Sequence, residues 1–443
     1  MLLRAGLVVV AGIVLTFAVP GSAPTHAQFL RTWTGAGGNQ LFSNPANWSG
    51  NTAPVDGDSV HFTGTGGAVP VTNDIAGLAL NRIEFAGSGT FTLSGNSLEL
   101  NQGVYVDGTA GVGLDISLSG TGGGIVGPLA RLTLRADSTF SGLLETFGEL
   151  HVETPGALGS AAGITRVQGG GTIFIPVSMT IPDEPIHLQG KGTGARANAL
   201  IAEGEPVTLG NVHVVLETSI YGDELYIPNG IKQAFPGFDL SIEGEVEVGG
   251  TTTAEGPIRI ASGARLTWNT TAAVDIYLAP GGWLRGSGTV RTIACEQCAV
   301  FPITETEISR LTATGAVDLA LPDGGLLVIL NGPVAGTEYS QLGAGGPITI
   351  RDGATVSIQL AVNYEPTVGD MYVIVDNTGA EPIDGVFFGY AEMEVVEIQE
   401  GVFARLSYIG GDGNDVVVEI VERDDSPAGA PYELAMPMVA RDG

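Results

Sequence analysis

The sequence has few positive charges, few metal-ligating side chains and one long apolar run. Its 443 residues include 18 Lys and Arg against 48 Asp and Glu, a formal charge of −30, and only Lys191 and Lys232 are lysines. Phosphate binding needs a positive field that such a surface does not supply, which excludes nucleic acid and anionic lipid as main partners. Two cysteines and five histidines leave little room for a metal site built from thiolates or imidazoles.

The one long apolar run lies at the start of the chain. Arg4 is followed by an apolar stretch over residues 5–19 and then by small residues up to Ala27, a pattern typical of a secretory signal peptide. The alternative is a retained membrane anchor, but the run is shorter than the roughly 20 residues that span a bilayer. We therefore expect segment 1–27 to be cleaved after Ala27 and the protein to be secreted, extracellular or at the cell surface. We expect no membrane span in the mature chain.

Helical spacing of apolar residues is nearly absent from the rest of the sequence. From about Val69 to Val421, short runs that alternate apolar with polar residues are separated by Gly, Asn, Asp or Pro. This alternation is typical of β-strands that bury one face. Examples of such runs are residues 90–93, 132–134, 149–152, 171–175, 206–209 and 356–360. The pattern predicts an all-β chain.

The lack of a Pro- or Ser-rich linker before Glu422 favours one continuous body. Each coil of a solenoid buries its inner face on neighbouring coils, so a long chain needs no breaks, and glycine suits its sharp corners. We therefore predict an elongated right-handed parallel β-helix. The alternative, a string of β-sandwiches, is typically accompanied by frequent Asn-Gly hairpins. The sequence contains only two Asn-Gly pairs, Asn229-Gly230 and Asn331-Gly332, which is little support for this alternative.

Changes in aromatic content and in the alternation of apolar with polar residues divide the predicted solenoid into segments. Trp33 and Trp48 mark a segment suited to cover the first coil, and the alternation weakens around the two cysteines. The predicted segments are an N-terminal cap at 28–65, β-helix repeats at 66–293, a loop with the cysteine pair at 294–313, a closing part of the solenoid at 314–421 and a disordered linker and tail at 422–443. In an oxidising compartment, Cys295 and Cys298 favour a local disulfide over a redox motif or half of a zinc site.

Several motifs, in order along the chain, are similar to one known family. The first group comprises Leu132-Thr133-Leu134, Ser138-Thr139-Phe140-Ser141-Gly142, Gly148-Glu149-Leu150-His151-Val152 and Ala157-Leu158-Gly159-Ser160. This group resembles the autotransporter-associated β-strand repeat, which has an apolar strand, an aromatic-Ser-Gly turn, a Gly-x-Leu strand and an Ala-Leu-Gly corner. Further similar stretches are residues 281–290, 336–342, 364–370, 374–377 and 407–417, and at the front Trp33, 44–48 and 54–60.

The resemblance covers residues 29–421 and implies an exported passenger-type β-helix without established catalysis. True autotransporters carry a membrane barrel of many ten-residue amphipathic strands after the passenger. Only about 22 residues follow Val421 here. We therefore expect a passenger-type protein without the autotransporter barrel, delivered by other machinery.

A single stretch matches a calcium-binding repeat. Residues 410–418 fit the nonapeptide Gly-Gly-x-Gly-x-Asp-x-apolar-x, and Asp412 and Asp415 would supply hard oxygen ligands. Repeat-type sites share each ion between successive turns, and this chain has one copy. The alternative is a tight final turn leading into the last strand. Calcium is the only cofactor that the sequence suggests.

Three pairs of acids and a few basic residues are candidates for catalytic groups. Asp56 and Asp58 would point the same way on an extended segment, so general acid/base catalysis by this pair is geometrically feasible. We expect Asp56, Asp58, Asp183, Asp412 and Asp415 to lie at solvated turns, and Asp183-Glu184 and Asp424-Asp425 to be solvated loops. Lys191 and Arg196 are interpreted as a solenoid corner, and His151, His187 and His213 as strand positions rather than ligands. No catalytic residue is predicted.

These observations leave two main functional hypotheses. The first is a non-catalytic, acidic structural or adhesive β-helix that contacts matrix, glycan or neighbouring cells. The second is a glycan-active lyase or hydrolase, which would require three or more acids converging in a groove on consecutive coils. A third hypothesis, a calcium-responsive surface protein, requires oxygen ligands from adjacent turns around Asp412 and Asp415.

Overall fold

A computed structural model of the chain describes residues 28–193, 197–233, 237–320 and 325–423. The predicted signal peptide at 1–27 lies outside the described residues. So do Arg196, Asp424, Asp425 and nearly all of the predicted tail.

The described chain is a parallel β-solenoid of about 12 turns, which confirms the prediction of an all-β parallel β-helix. Among the described residues, helical structure is confined to two 3₁₀ turns, Pro45–Asn47 and Ser49–Asn51. None of the described helices has the length and apolar character needed to cross a membrane.

The first strands of the described chain are β1 Leu30–Trp33, β2 Ser59–Gly64, β3 Ala68–Asn73, β4 Ala79–Gly87, β5 Thr90–Gly95, β6 Leu98–Val106, β7 Gly111–Asp115, β8 Leu118–Ser119, β9 Gly123–Val126, β10 Arg131–Leu134, β11 Leu143–Thr146, β12 Glu149–Val152 and β13 Ile164–Val167. The middle strands are β14 Thr172–Ile175, β15 Met179–Ile181, β16 Ile186–Gly190, β17 Leu200–Ala202, β18 Val207–Leu209, β19 Val212–Ile227, β20 Ile231–Gln233, β21 Leu240–Val248, β22 Ile258–Ile260, β23 Arg265–Trp268, β24 Asp275–Leu278, β25 Trp283–Arg285 and β26 Thr289–Val290. The last strands are β27 Thr292–Glu296, β28 Ala299–Phe301, β29 Arg310–Ala313, β30 Val317–Ala320, β31 Gly325–Leu330, β32 Gln341–Ala344, β33 Ile348–Ile350, β34 Thr355–Leu360, β35 Met371–Asn377, β36 Val395–Gln399, β37 Val402–Gly410 and β38 Asp415–Val421.

The strands stack in parallel files along the solenoid. One file runs through β1, β2, β4, β6, β9, β11, β13, β16, β19 and β20. A second begins with β3, β5, β7, β10, β12, β14 and β17 and continues through β19 and β21 to β33. A third links β15, β18, β19, β21, β23, β25, β28, β31 and β34. Strand β19 is long enough to bend around the corners and contribute to all three files.

The core is a column of apolar side chains inside the coils. Phe62 on β2 stacks on Phe85 on β4, with ring centroids 4.9 Å apart, and both rings are buried. Alternation along each strand sends every second side chain into this column and its neighbours outward. Each fully buried Leu, Ile, Val or Phe contributes about 1.5–3 kcal/mol relative to an exposed one. Function must therefore reside in the outward-facing positions.

One corner of the first coils consists of stacked glycines. Gly87 and Gly108 have φ of +96° and +71°, and a Cβ on either would lie within 3 Å of the carbonyl oxygen of the glycine one coil earlier, Gly64 or Gly87 respectively. Only glycine tolerates both the positive φ and this close approach of backbones.

The N-terminal segment at 28–65 packs aromatic rings onto the first coils. The buried Trp48 ring contacts Trp33, Phe42 and Phe62, and its Nε1 donates a hydrogen bond to the carbonyl oxygen of Phe42 at 2.8 Å. The side chain of Asn47, also buried, donates to the carbonyl oxygen of Leu41 at 3.0 Å. These contacts hold the loop between β1 and β2 against the first aromatic rings of the core.

Two segment predictions require correction. Segment 294–313, expected as a loop, contains strands of the solenoid, because Cys295 and Cys298 act as buried apolar residues. Cys295 is in register with Leu278 and Leu319, and it is joined to Cys298 by a disulfide. Segment 314–421, expected as the closing part of the solenoid, continues the parallel files to β34 and then ends in an antiparallel sheet. There β35 pairs with β38, β38 with β37 and β37 with β36.

Candidate functional site

A groove runs along the outer face of the first coils. His61, Glu84, Tyr105 and Ile125 occupy successive register positions on β2, β4, β6 and β9, so their side chains form one outward-facing ladder. Phe147, which follows β11, Asp107 and Pro128 complete a groove of about 550 Å³. We call it the Tyr105 groove.

The lining of the Tyr105 groove combines aromatic and carboxylate side chains. Tyr105 and Phe147 are half-buried, and Ile125 is 39% exposed, so the floor of the groove is apolar. The faces of aromatic rings carry partial negative charge and attract the slightly positive C–H groups of a sugar ring. Glu84 and Asp107 supply hydrogen-bond acceptors beside this floor. The arrangement suits a ligand with apolar faces and hydroxyl edges.

Arg82 holds the side chains at one end of the Tyr105 groove in place. Its guanidinium pairs with Glu84 at 2.9 Å and lies 6.0 Å from the centre of the Tyr105 ring. The Tyr105 hydroxyl donates to the carbonyl oxygen of Gln102 at 3.3 Å. The ring is thus fixed before any ligand arrives, which lowers the entropic cost of binding.

A second cluster gathers three acids from nearby coils around Arg285. One guanidinium nitrogen of Arg285 lies 2.9 Å from a carboxylate oxygen of Glu245 and 2.9 Å from one of Glu305. Glu247, two residues after Glu245 on β21, accepts a hydrogen bond from Asn269 at 2.9 Å. We call this the Arg285 cluster.

The acids of the Arg285 cluster differ in their electrostatic environment. Burial is the main cause of the raised pKa of Glu247, and the nearby carboxylates of Glu305 and Glu245 add to it. Glu245 is paired with Arg265 at 3.5 Å as well as with Arg285. Glu247 is therefore biased toward its protonated form, while its neighbour Glu245 contacts two guanidinium groups. This is the asymmetry that general acid/base pairs use.

The predicted calcium ligands Asp412 and Asp415 lie in a hairpin turn. Residues 410–415 form the turn of the antiparallel β37–β38 hairpin, so no successive parallel turn is available to share an ion. Asp415 is buried, and its Oδ1 accepts a hydrogen bond from the backbone N–H of Asn377 at 2.8 Å. Burial raises the pKa of Asp415. Nowhere in the described part of the chain do three or more His, Cys, Asp or Glu side chains form a group suited to a metal.

Asp58 is not at a solvated turn, contrary to expectation. Its carboxylate is 1% exposed, pairs with Arg31 at 2.8 Å and accepts the backbone N–H of Phe29 at 3.1 Å. Asp56 is exposed and accepts the backbone N–H of Ala79 at 3.0 Å. The two carboxylates thus connect β1 and β4 to the turn before β2, a structural role rather than paired catalysis.

The pair Asp183-Glu184 also departs from expectation. Asp183 and Asp412 are exposed as expected, but Glu184 is 5% exposed and accepts a hydrogen bond from Thr165 at 2.9 Å. Its other carboxylate oxygen has no hydrogen-bond partner among the described residues. Burial raises the pKa of Glu184 to about 7.

The basic candidates are distributed over separate places. Lys191 forms an exposed ion pair with Glu217 at 2.9 Å. His151, His187 and His213 lie in β12, β16 and β19, as expected. His187 and His213 stack, with ring centroids 4.5 Å apart, a contact that the sequence did not indicate.

Sequence reasoning also missed the Tyr105 groove and the Arg285 cluster. The ladder from His61 to Ile125 joins residues that are 20 or more positions apart, and only the coil register brings them together. The alternation of Glu243, Glu245 and Glu247 was an available signal, because it places acids at every second position of a predicted strand.

Comparison with known proteins does not assign the chain to a family. No protein-family model matches it, and no similar sequence is found among the curated proteins.

Proposed function

We propose that the protein is a secreted or cell-surface structural β-helix that adheres to glycan or matrix through its outer face, without catalysis. The observation that carries the proposal is the Tyr105 groove, where an apolar aromatic floor and a carboxylate rim run along consecutive coils. The signal-peptide pattern of residues 1–27 and the resemblance to passenger-type β-helices support export.

The test is binding to immobilised neutral and acidic polysaccharides by biolayer interferometry. Loss of an aromatic platform removes stacking area, so we expect Y105A and F147A each to weaken binding at least tenfold. The matched control is Y277A, because Tyr277 is a tyrosine on another part of the outer face, 38% exposed. Wild-type protein that binds no polysaccharide, or Y277A that weakens binding as much as Y105A, would overturn the proposal.

A second candidate function, glycan hydrolysis, is favoured by the convergence of Glu245, Glu247 and Glu305 around Arg285. Residues two apart on a strand are separated by about 7 Å, which falls in the range of the acid and base of inverting glycosidases. Glu247 would protonate the leaving oxygen and Glu245 would activate water.

The test of this candidate is the release of reducing ends from acidic and neutral polysaccharides. If the candidate holds, E247Q and E245Q lose activity while E149Q, on a distant exposed ion pair with Arg131, retains it. Wild-type protein without any release eliminates the candidate and leaves the adhesive function in place.

A further inference from the structure

Four basic side chains follow one another on the outer face of the middle coils. Arg166, His187, His213 and Lys232 occupy successive register positions on β13, β16, β19 and β20. All four are half-buried. Burial lowers the pKa of both imidazoles, and Arg166 pairs with Glu145, so Lys232 carries the unpaired positive charge of this succession at neutral pH.

Between residues 31 and 405, Lys232 differs from the other described lysine and arginine side chains in having no carboxylate partner among the described residues. Each described arginine from Arg31 to Arg405 forms an ion pair, and so does Lys191. The ammonium of Lys232 donates instead to the amide Oδ1 of Asn211 at 2.9 Å. The same oxygen lies 2.8 Å from Nε2 of His213. An ammonium held by a neutral amide keeps its full charge for another partner.

A depression of about 330 Å³, whose wall also includes Asp183, adjoins this ammonium. Its lining includes Lys232, Asn211, Asn229, Thr251 and Thr253. Amide and hydroxyl side chains both donate and accept hydrogen bonds, as the hydroxyl groups of a sugar require. We call this the Lys232 pocket.

We propose that the Lys232 pocket binds one anionic sugar residue, with the oxyanion on the Lys232 ammonium and the sugar hydroxyls on the surrounding amide and threonine side chains. Carboxylate and sulfate share this chemistry. The ligand is a single charged sugar or a short oligosaccharide, because a long polyanion would be repelled by the acidic remainder of the surface. The site lies apart from the Tyr105 groove and does not depend on it.

The two histidines make binding at this site sensitive to pH. The charged groups around them are Arg166 on β13, Lys232 on β20 and Asp183 in the pocket wall, and Glu145 pairs with Arg166 at 3.1 Å. Burial lowers the pKa of His187, with a further contribution from Arg166. Burial, then His187 and Lys232, lower the pKa of His213 to about 4. A bound oxyanion favours protonated imidazole, so affinity must rise as the pH falls.

The test is calorimetric titration with three short oligosaccharides of equal length, one carboxylated, one sulfated and one neutral, at pH 5.5 and pH 8. We expect at least one anionic oligosaccharide to bind, at least tenfold more tightly than the neutral one, and more tightly at pH 5.5. K232Q should lose at least tenfold in affinity, and K232R should retain most of it. H187N together with H213N should flatten the pH dependence.

The chain provides its own matched control in its only other lysine. K191Q removes the same charge from an exposed ion pair and should change the affinity less than twofold. Y105A should leave binding at this site unchanged, which separates its outcome from that of the Tyr105 groove. Equal losses in K191Q and K232Q, equal binding of the neutral sugar, or no binding of either anionic sugar would overturn the proposal. Zn²⁺ binding that persists in K232Q would assign the imidazoles to a metal instead and overturn it as well.

Discussion

At the residue scale, Glu184 is a carboxyl group whose burial makes stability depend on pH. Its folded pKa of about 7 lies above the ordinary 4.5, so the fold favours the protonated form. The stability that it contributes is complete below about pH 4.5 and is lost as the pH rises through 7. Glu184 therefore destabilises the protein in alkaline solution.

The first prediction follows from the raised pKa of Glu184, which makes the protein less stable at high pH. E184Q carries a neutral isostere at every pH, so its free energy of unfolding should exceed that of the wild type at pH 8 by up to about 3 kcal/mol. At pH 4.5 the two proteins should be nearly equally stable. Guanidinium unfolding at both pH values measures the difference. An identical difference at both pH values would show that titration of Glu184 is not its cause.

Residue-scale predictions from the sequence were correct where a side chain follows the alternation and wrong where a polar group is buried. The histidines lie in strands as the pattern indicated. Asp58, Glu184 and Asp415 were expected in solvent, but each accepts hydrogen bonds from another segment. A sequence pattern cannot reveal such a partner, because the coil register that supplies it is a property of the folded stack.

At the element scale, the N-terminal segment at 28–65 is held on the column by Trp48. Removing a large buried ring costs about 3–5 kcal/mol. We expect W48A to release this segment, expose the edge of the first coil and increase aggregation. Limited proteolysis and size-exclusion chromatography measure both effects. The matched control is W283A, on a half-buried outer-face ring, and comparable aggregation of the two variants would contradict the role assigned to the segment.

The glycine corner gives a second prediction at this scale. G87A places a methyl group 2.7 Å from the carbonyl oxygen of Gly64 at a φ of +96°, and we expect a loss of about 1–3 kcal/mol. G67A is the control, because a Cβ there meets nothing within 4 Å. Thermal unfolding compares them, and equal midpoints would argue against strained stacking at the corner.

Strands were largely predictable from the sequence, whereas their pairing at the end of the chain was not. The predicted runs at 90–93, 132–134 and 149–152 all lie within observed strands. Alternation identifies a strand and its buried face, but parallel and antiparallel neighbours bury that face equally well. The alternation of apolar and polar residues therefore could not predict the antiparallel pairing of β35 to β38.

At the scale of the whole molecule, the structure is a rod that presents its outer face along its length. At about 4.8 Å per turn, about 12 turns give a solenoid about 60 Å long. A body of about 390 residues with about 20 residues in every coil would reach about 90 Å. The difference arises because some coils are longer, and because the chain after β35 folds back as an antiparallel sheet. Both the Tyr105 groove and the Lys232 pocket require this continuous stack.

Small-angle X-ray scattering of the protein starting at residue 28 distinguishes a continuous rod from other shapes. We expect a skewed distance distribution that extends to about 80 Å, the solenoid plus its two ends, and a linear cross-sectional region typical of a rod. A symmetric distribution with a radius of gyration near 21 Å, the value for a globule of about 400 residues, would contradict it. A multi-peaked distribution from separate flexible domains would contradict it equally.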